Sequence, residues 1–146
     1  MSGLGAAVVL AAVLVTVAAA WWLRTRNGAV RTPQADTSAA HLPVFARLGV
    51  DPAGADLTVV QFSTAFCAPC RTTKARLEHL QATRPGLNVV HVDAESHLAE
   101  VRELDVRRTP TLFYLGRDGG LIGRSSGAPR PEDLRALVDA HAGIGK

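Results

Sequence analysis

The sequence predicts an α/β domain, a mixed central sheet covered by helices on both faces, preceded by one N-terminal transmembrane helix. Three observations carry this reading. Residues 4–23 are an uncharged apolar run. Past residue 41 that single run gives way to short blocks that alternate between β-branched and helical patterning. The last two β-like blocks are joined by Gly116, Arg117, Asp118, Gly119 and Gly120, a hairpin signal that makes one strand pair antiparallel.

The first element is argued from length and flanks. Twenty residues, mostly Ala, Val and Leu, rising about 1.5 Å each as a helix, span roughly 30 Å, the thickness of a bilayer's hydrocarbon core. Trp21 and Trp22 close the run and Arg24 and Arg26 follow it, the arrangement expected at a headgroup boundary. Ala18, Ala19 and Ala20 offer a competing reading as a cleaved secretory signal. Met1, Ser2 and Gly3, however, lack the positive side chains such signals begin with, so an uncleaved anchor over residues 1–23 is expected. With three arginines just after the span and none before it, the charge bias directs the following domain to the cytoplasm.

Charge is otherwise balanced. The 146 residues carry a formal net charge of +3, and Arg24, Arg26 and Arg31 account for all of it, because bases and acids match from residue 32 onward. With 47% of residues hydrophobic and 20% charged, the composition excludes disorder and a charged interaction tail, and the basic balance does not indicate nucleic-acid binding. Residues 24–40 hold Gly, Pro, Ser and Thr with almost no large apolar side chains and read as a linker. Its reach of roughly 20 to 25 Å keeps a domain at 41–146 close to the bilayer and to partners in the same membrane.

Within that domain a short helix is expected over 43–48, then a strand at Leu57–Ser63, whose LTVVQFS is β-branched and aromatic. Helical spacing of Ala75, Leu77 and Leu80 predicts a helix over 70–81, ending before Pro85 and Gly86. A second strand at Leu87–Asp93 precedes a helix through about residue 104 that Ser96 is placed to cap. Strands at 111–115 and 121–125 follow. Pro131, Glu132 and Asp133 then open a last helix that ends before Gly143.

The chemistry lies in the only two cysteines, Cys67 and Cys70, in the run FCAPC between the first strand and the first long helix. Unpaired amides and the dipole of a helix N-terminus favour an anion, so a thiolate at Cys67 forms more readily than in a free peptide. Pro69 in the first turn costs no helical hydrogen bond and stiffens the spacer. Two thiols at this spacing can close a disulfide. Cys67 attacks a substrate disulfide and Cys70 displaces the reduced product, or the reverse flow oxidises or isomerises a substrate. The competing readings are a zinc site recruiting dispersed histidines, an inert structural disulfide and Cu(I) handling by the thiols.

These residues resemble the thioredoxin family over most of 57–142: the LTVVQF strand, the FCAPC site, HVDAE, RRTPTLFYL, the hairpin with Gly120, and Gly127 before the last helix. The anchor and linker make the whole similar to membrane-anchored thioredoxin-like proteins of bacteria with Arg-rich and Ala-rich proteomes, the actinobacterial type. The resemblance implies the thioredoxin fold, with Cys67 as exposed nucleophile and Cys70 as buried resolving thiol. It implies that Thr109 and Pro110 form a cis pair against the disulfide, where the backbone pairs with a bound substrate strand. Phe66, Ala68 and Pro69 complete the substrate groove, Phe66 standing where the family has Trp. In place of the family's buried acid stands Gln61, and His91 takes the place of its lysine neighbour; Gln61 cannot accept a proton as a carboxylate can. Proton transfer to and from Cys70 therefore falls to water or His91.

The implied activity is membrane-tethered thiol-disulfide exchange on disulfide-containing proteins, fed by an electron-donating reductase or membrane redox partner. The redox-active cysteine pair is the only redox group, with no metal and no other cofactor. The alternatives are an outward-facing reductase for cytochrome or envelope protein maturation, and a non-catalytic copper- or protein-binding module.

Overall fold

The computed structural model describes residues 3–26, 28–32 and 35–143. Residues 1, 2, 27, 33, 34 and 144–146, which fall in the expected anchor, linker and domain, lie outside the described residues. Helix α1 covers Gly3–Arg26, and its stretch Gly5–Thr25 is long and apolar enough to cross a membrane. Val30–Arg31 forms a two-residue strand, β1, and Ala35–Arg47 forms α2, both within or overlapping the stretch 24–40. Helix α2 runs through Pro43 rather than starting there. A 3-10 turn at Pro52–Gly54 follows, with the Asp51 side chain accepting the Ala53 N–H.

The rest of the chain has the expected order of strands and helices. Strands β2 (Leu57–Ser63) and β3 (Leu87–Asp93) flank α3 (Ala68–Thr83). Helix α4 (Leu98–Glu103), the hairpin β4 (Thr111–Gly116) and β5 (Leu121–Ser126), and α5 (Pro131–His141) complete the domain. Strand order is β1-β5-β4-β2-β3. Among the described residues only β2 and β3 pair in parallel; the other three pairings are antiparallel. This is the mixed sheet of the thioredoxin fold.

One local expectation is corrected. Ser96 does not cap α4; His97 occupies that position without a side-chain bond. The Ser96 hydroxyl instead donates to Asp93 at 2.5 Å, and Asp93 also accepts the Glu95 N–H at 3.0 Å. The carboxylate at the strand end is the stronger acceptor and closes the turn around itself.

Strand alternation sorts the core into two layers. Leu57, Val59, Leu112 and Tyr114 face α3 and α5, packing on Leu77, Leu80, Leu134 and Val138. Val60, Phe62, Phe113 and Leu115 face the other way, onto Val44 and Phe45 of α2 and onto Leu104 just past α4. Each fully buried Leu, Val or Phe contributes roughly 1.5 to 3 kcal/mol through burial, so both layers hold the sheet firmly beneath the site.

Antiparallel pairing of β2 with β4 aligns Phe62 with Thr111. The exit of β2, leading to Cys67, and the entry of β4, following Pro110, therefore meet at one edge of the domain. Residues about forty apart in sequence become neighbours by register alone.

Candidate active site: a dithiol at a helix N-terminus

Cys67 is the N-cap of α3, and its Sγ accepts the backbone N–H of Cys70 at 3.2 Å. A sulfur in this position takes over the role usually played by a Ser or Asp oxygen. The same amide and the helix dipole stabilise negative charge on Cys67 once the disulfide opens. Pro69 sits in the first helical turn, as its missing N–H and fixed φ allow.

Cys67 and Cys70 are joined in a disulfide with a Cα separation of 5.2 Å. Cys67 is 8% exposed and Cys70 3%, so Cys67 is largely covered rather than exposed as its family counterpart implied. Its cap geometry is the reason: Sγ folds back over the first turn to reach both the Cys70 amide and its sulfur. Phe66, by contrast, projects into solvent at 98% exposure, and Ala68 and Pro69 are exposed beside it.

The Thr109–Pro110 bond is cis. Pro110 is buried and its carbonyl accepts the N–H of Gly127 at 2.7 Å. Gly127 has φ 93, the left-handed region where a side chain is strained, so a glycine is needed to aim that N–H. Thr109 Oγ1 lies 3.4 Å from Thr64 Oγ1, tying the proline loop to the segment that leads into Cys67. Thr64 was not singled out from sequence, since a threonine after a strand carries no signal until its partner across the sheet is known.

Gln61 is fully buried beneath the site. Its Nε2 donates to the Cys70 carbonyl and to Ser63 Oγ, each at 3.0 Å. Gln61 Oε1 and the hydroxyl of Thr73, one turn beyond Cys70, are buried without a hydrogen-bond partner among the described residues. His91 sits opposite Gln61 in the β2–β3 register. Its ring is at the surface and makes no side-chain hydrogen bond among the described residues. Partial desolvation lowers its pKa, the Lys74 charge lowers it further and Glu78 opposes both, so the ring is neutral at pH 7. The structure thus brings Gln61 to Cys70 and leaves His91 at the outer edge of the same face. Among the described residues no three of His, Cys, Asp and Glu cluster as metal ligands.

A vicinal sulfur pair capping a long helix, against a cis-proline loop and above a buried amide, is a dithiol–disulfide exchange centre. The thioredoxin family model matches residues 51–140. Thioredoxin of Chlamydia pneumoniae is 35% identical over 88 residues, 59% of this chain and 83% of that protein. Thioredoxin of Chlamydia trachomatis is 30% identical over 91 residues, 62% of this chain and 88% of that one. The crystal structure of oxidised mitochondrial thioredoxin 3 from Saccharomyces cerevisiae is similar with a TM-score of 0.56 and 28% identity, covering 68% of this chain and 89% of that chain. The chain belongs to the thioredoxin family, and it is a thioredoxin-like disulfide oxidoreductase carrying Cys67 and Cys70 in its CxxC motif.

Proposed function

We propose that this protein is a single-pass, membrane-tethered reductant of protein disulfides, of the anchored bacterial type, with its dithiol facing the cytoplasm. The observation that carries the catalytic part is the bond from the Cys70 amide to Cys67 Sγ, which marks Cys67 as the sulfur whose anion the helix stabilises. The tether is supported by α1, whose apolar side chains, among them Val8, Leu10 and Val15 at 63% or more, are exposed to an extent no water-facing helix sustains. The orientation is supported by Arg24, Arg26 and Arg31 on the domain side of the span.

In the reducing direction Cys67 thiolate attacks one sulfur of a substrate disulfide. That S–S bond breaks, the distal sulfur leaves as a thiolate that takes up a proton, and a mixed disulfide forms. Cys70, deprotonated, then attacks Cys67 Sγ; the mixed disulfide breaks and the substrate's second sulfur leaves reduced. Two electrons pass to the substrate, and the closed disulfide of the structure is the enzyme's product state. An electron-donating dithiol or membrane redox partner reopens it. Phe66, Ala68, Pro69, Thr109 and Pro110 frame the substrate groove. Gln61 holds the Cys70 backbone but cannot take its proton, which passes to solvent directly or by way of the neutral His91 ring.

Insulin reduction by the full chain in detergent tests the chemistry. Cys67→Ser is expected to lose more than about a thousandfold in turnover, and Cys70→Ser to accumulate mixed disulfide with substrate. Turnover retained by Cys67→Ser refutes the assignment. Labelling of reduced cells with a membrane-impermeant thiol reagent tests orientation: the cysteines of a cytoplasmic domain stay unlabelled until the membrane is opened.

A further inference from the structure

The catalytic chemistry leaves unused a cleft of about 480 Å³ on the opposite edge of the β4–β5 hairpin, where the end of α1 meets the domain. Trp22 and Leu23 form one wall, and Arg31, Arg107, Arg108 and Arg124 converge from the domain side. Asp105 is the one acid of this lining among the described residues, bonded to Arg107 at 2.7 Å. Arg124 is held from behind: its guanidinium donates to the carbonyls of Leu104 and Asp105 at 2.9 and 2.7 Å and stacks 4.9 Å from the centre of the Phe113 ring. Arg31 and Arg124 are cross-strand partners in the β1–β5 pairing, a juxtaposition of like charges that the single Asp105 carboxylate, already bonded to Arg107, offsets only in part.

We propose that this cleft binds the phosphate-bearing headgroup of an anionic phospholipid. The inference rests on the reading of α1 as a membrane anchor. If residues 4–23 cross the hydrocarbon core, Trp22 and Leu23 lie at headgroup depth, and a cleft walled by them opens onto the headgroup layer itself. A net positive, arginine-lined cleft at that depth matches a phosphodiester in both charge and hydrogen-bonding geometry. Arg107 and Arg108 directly precede Thr109 and Pro110, so a headgroup held there pins the substrate loop against the bilayer surface. The substrates so favoured are disulfides lying close to the membrane.

The test uses the full chain reconstituted in vesicles of phosphatidylcholine alone or of phosphatidylcholine with phosphatidylglycerol, read by amide hydrogen exchange over residues 29–31 and 105–109. Exchange is expected to slow about tenfold on the anionic vesicles, and the difference to vanish at high salt. The variant Arg31→Gln, Arg107→Gln, Arg108→Gln is expected to exchange equally on both. Equal exchange of the wild type on the two vesicles overturns the proposal, whatever the variant's fold does. Equal protection by inorganic phosphate on neutral vesicles overturns the lipid as ligand. Extraction of the wild type by alkaline carbonate from both vesicles is the separate failure of the anchor reading, and removes the proposal with it.

Discussion

The two faces of the sheet are built for different work. Toward α2 and α4 the core is aromatic: Phe45 and Phe62 meet Phe113 edge to face, with centroids 5.3 and 5.7 Å away, and Arg124 covers the same ring. Toward α3 and α5 it is aliphatic but carries buried polar groups, the Gln61 amide, the Tyr114 phenol bonded to Ser125 at 2.9 Å, and the Thr73 hydroxyl. The aromatic layer stabilises the fold mainly by shape, its buried polar groups among the described residues being the small hydroxyls of Thr58 and Thr111. The other layer keeps polarity beneath the disulfide, where a thiol must gain and lose a proton. The difference teaches that the chemistry of this fold sits on one side of a strand whose other side is a rigid support.

That division is open to attack at single residues. Phe113→Ala, at the centre of the aromatic layer, is expected to lower unfolding free energy by about 3 to 5 kcal/mol while leaving the pH dependence of thiol alkylation unchanged. Urea melts and iodoacetamide rates check the two halves; a moved alkylation profile breaks the separation of faces.

Tyr114 tests whether the polar face also carries stability. Burial is the main cause that pushes its phenol up to about 12, Ser125 opposing and the Asp133 charge adding. A folded pKa above the unfolded value of about 10 means full stability below pH 10, lost as pH rises through 12, by about 2 to 3 kcal/mol. Tyr114→Phe is expected to remove that alkaline loss, at about 1 kcal/mol lower stability near neutrality. Chemical melts across pH 8 to 12 measure it.

Gln61→Leu takes the amide away from the Cys70 carbonyl but also removes the unpartnered Oε1, so its net effect on stability is expected to stay near 1 kcal/mol. Its larger signature is chemical: a more apolar floor raises the Cys70 pKa, moving alkylation of the reduced protein to higher pH. Smallest is His91→Ala. A relay through the ring predicts a displacement of the Cys70 alkylation profile upward by less than about one pH unit, and coincident profiles remove His91 from proton transfer.

Strands β2 and β3 were legible to the residue because both are short blocks rich in Val, Leu and Phe bounded by turn residues, and each hairpin strand extends the expected block by one residue. Helix α3 starts at Ala68, two residues before the expected 70, since its cap is a cysteine rather than one of the usual oxygen-bearing residues. Strand β1 left no trace in the sequence; two residues have no periodicity, and Val30 and Arg31 are ordered by pairing with Ser125 and Arg124, far along the chain. At the site, Cys67, Cys70 and Pro110 were readable from motif and spacing. Thr64, Ser63 and the Gly127 amide were not, because their roles exist only once register has brought β2, β4 and the β5 exit together.

One consequence attaches to the Phe66 ring. A phenyl group left in water beside the sulfurs is apolar surface held in reserve, and any protein that covers it gains about 1.5 to 3 kcal/mol, roughly ten to a hundredfold in encounter lifetime. That gain depends on contact and not on the partner's sequence. Sulfur exchange is slow compared with diffusion, so a ring that prolongs every encounter equally lengthens the time available for reaction without narrowing the range of proteins reached.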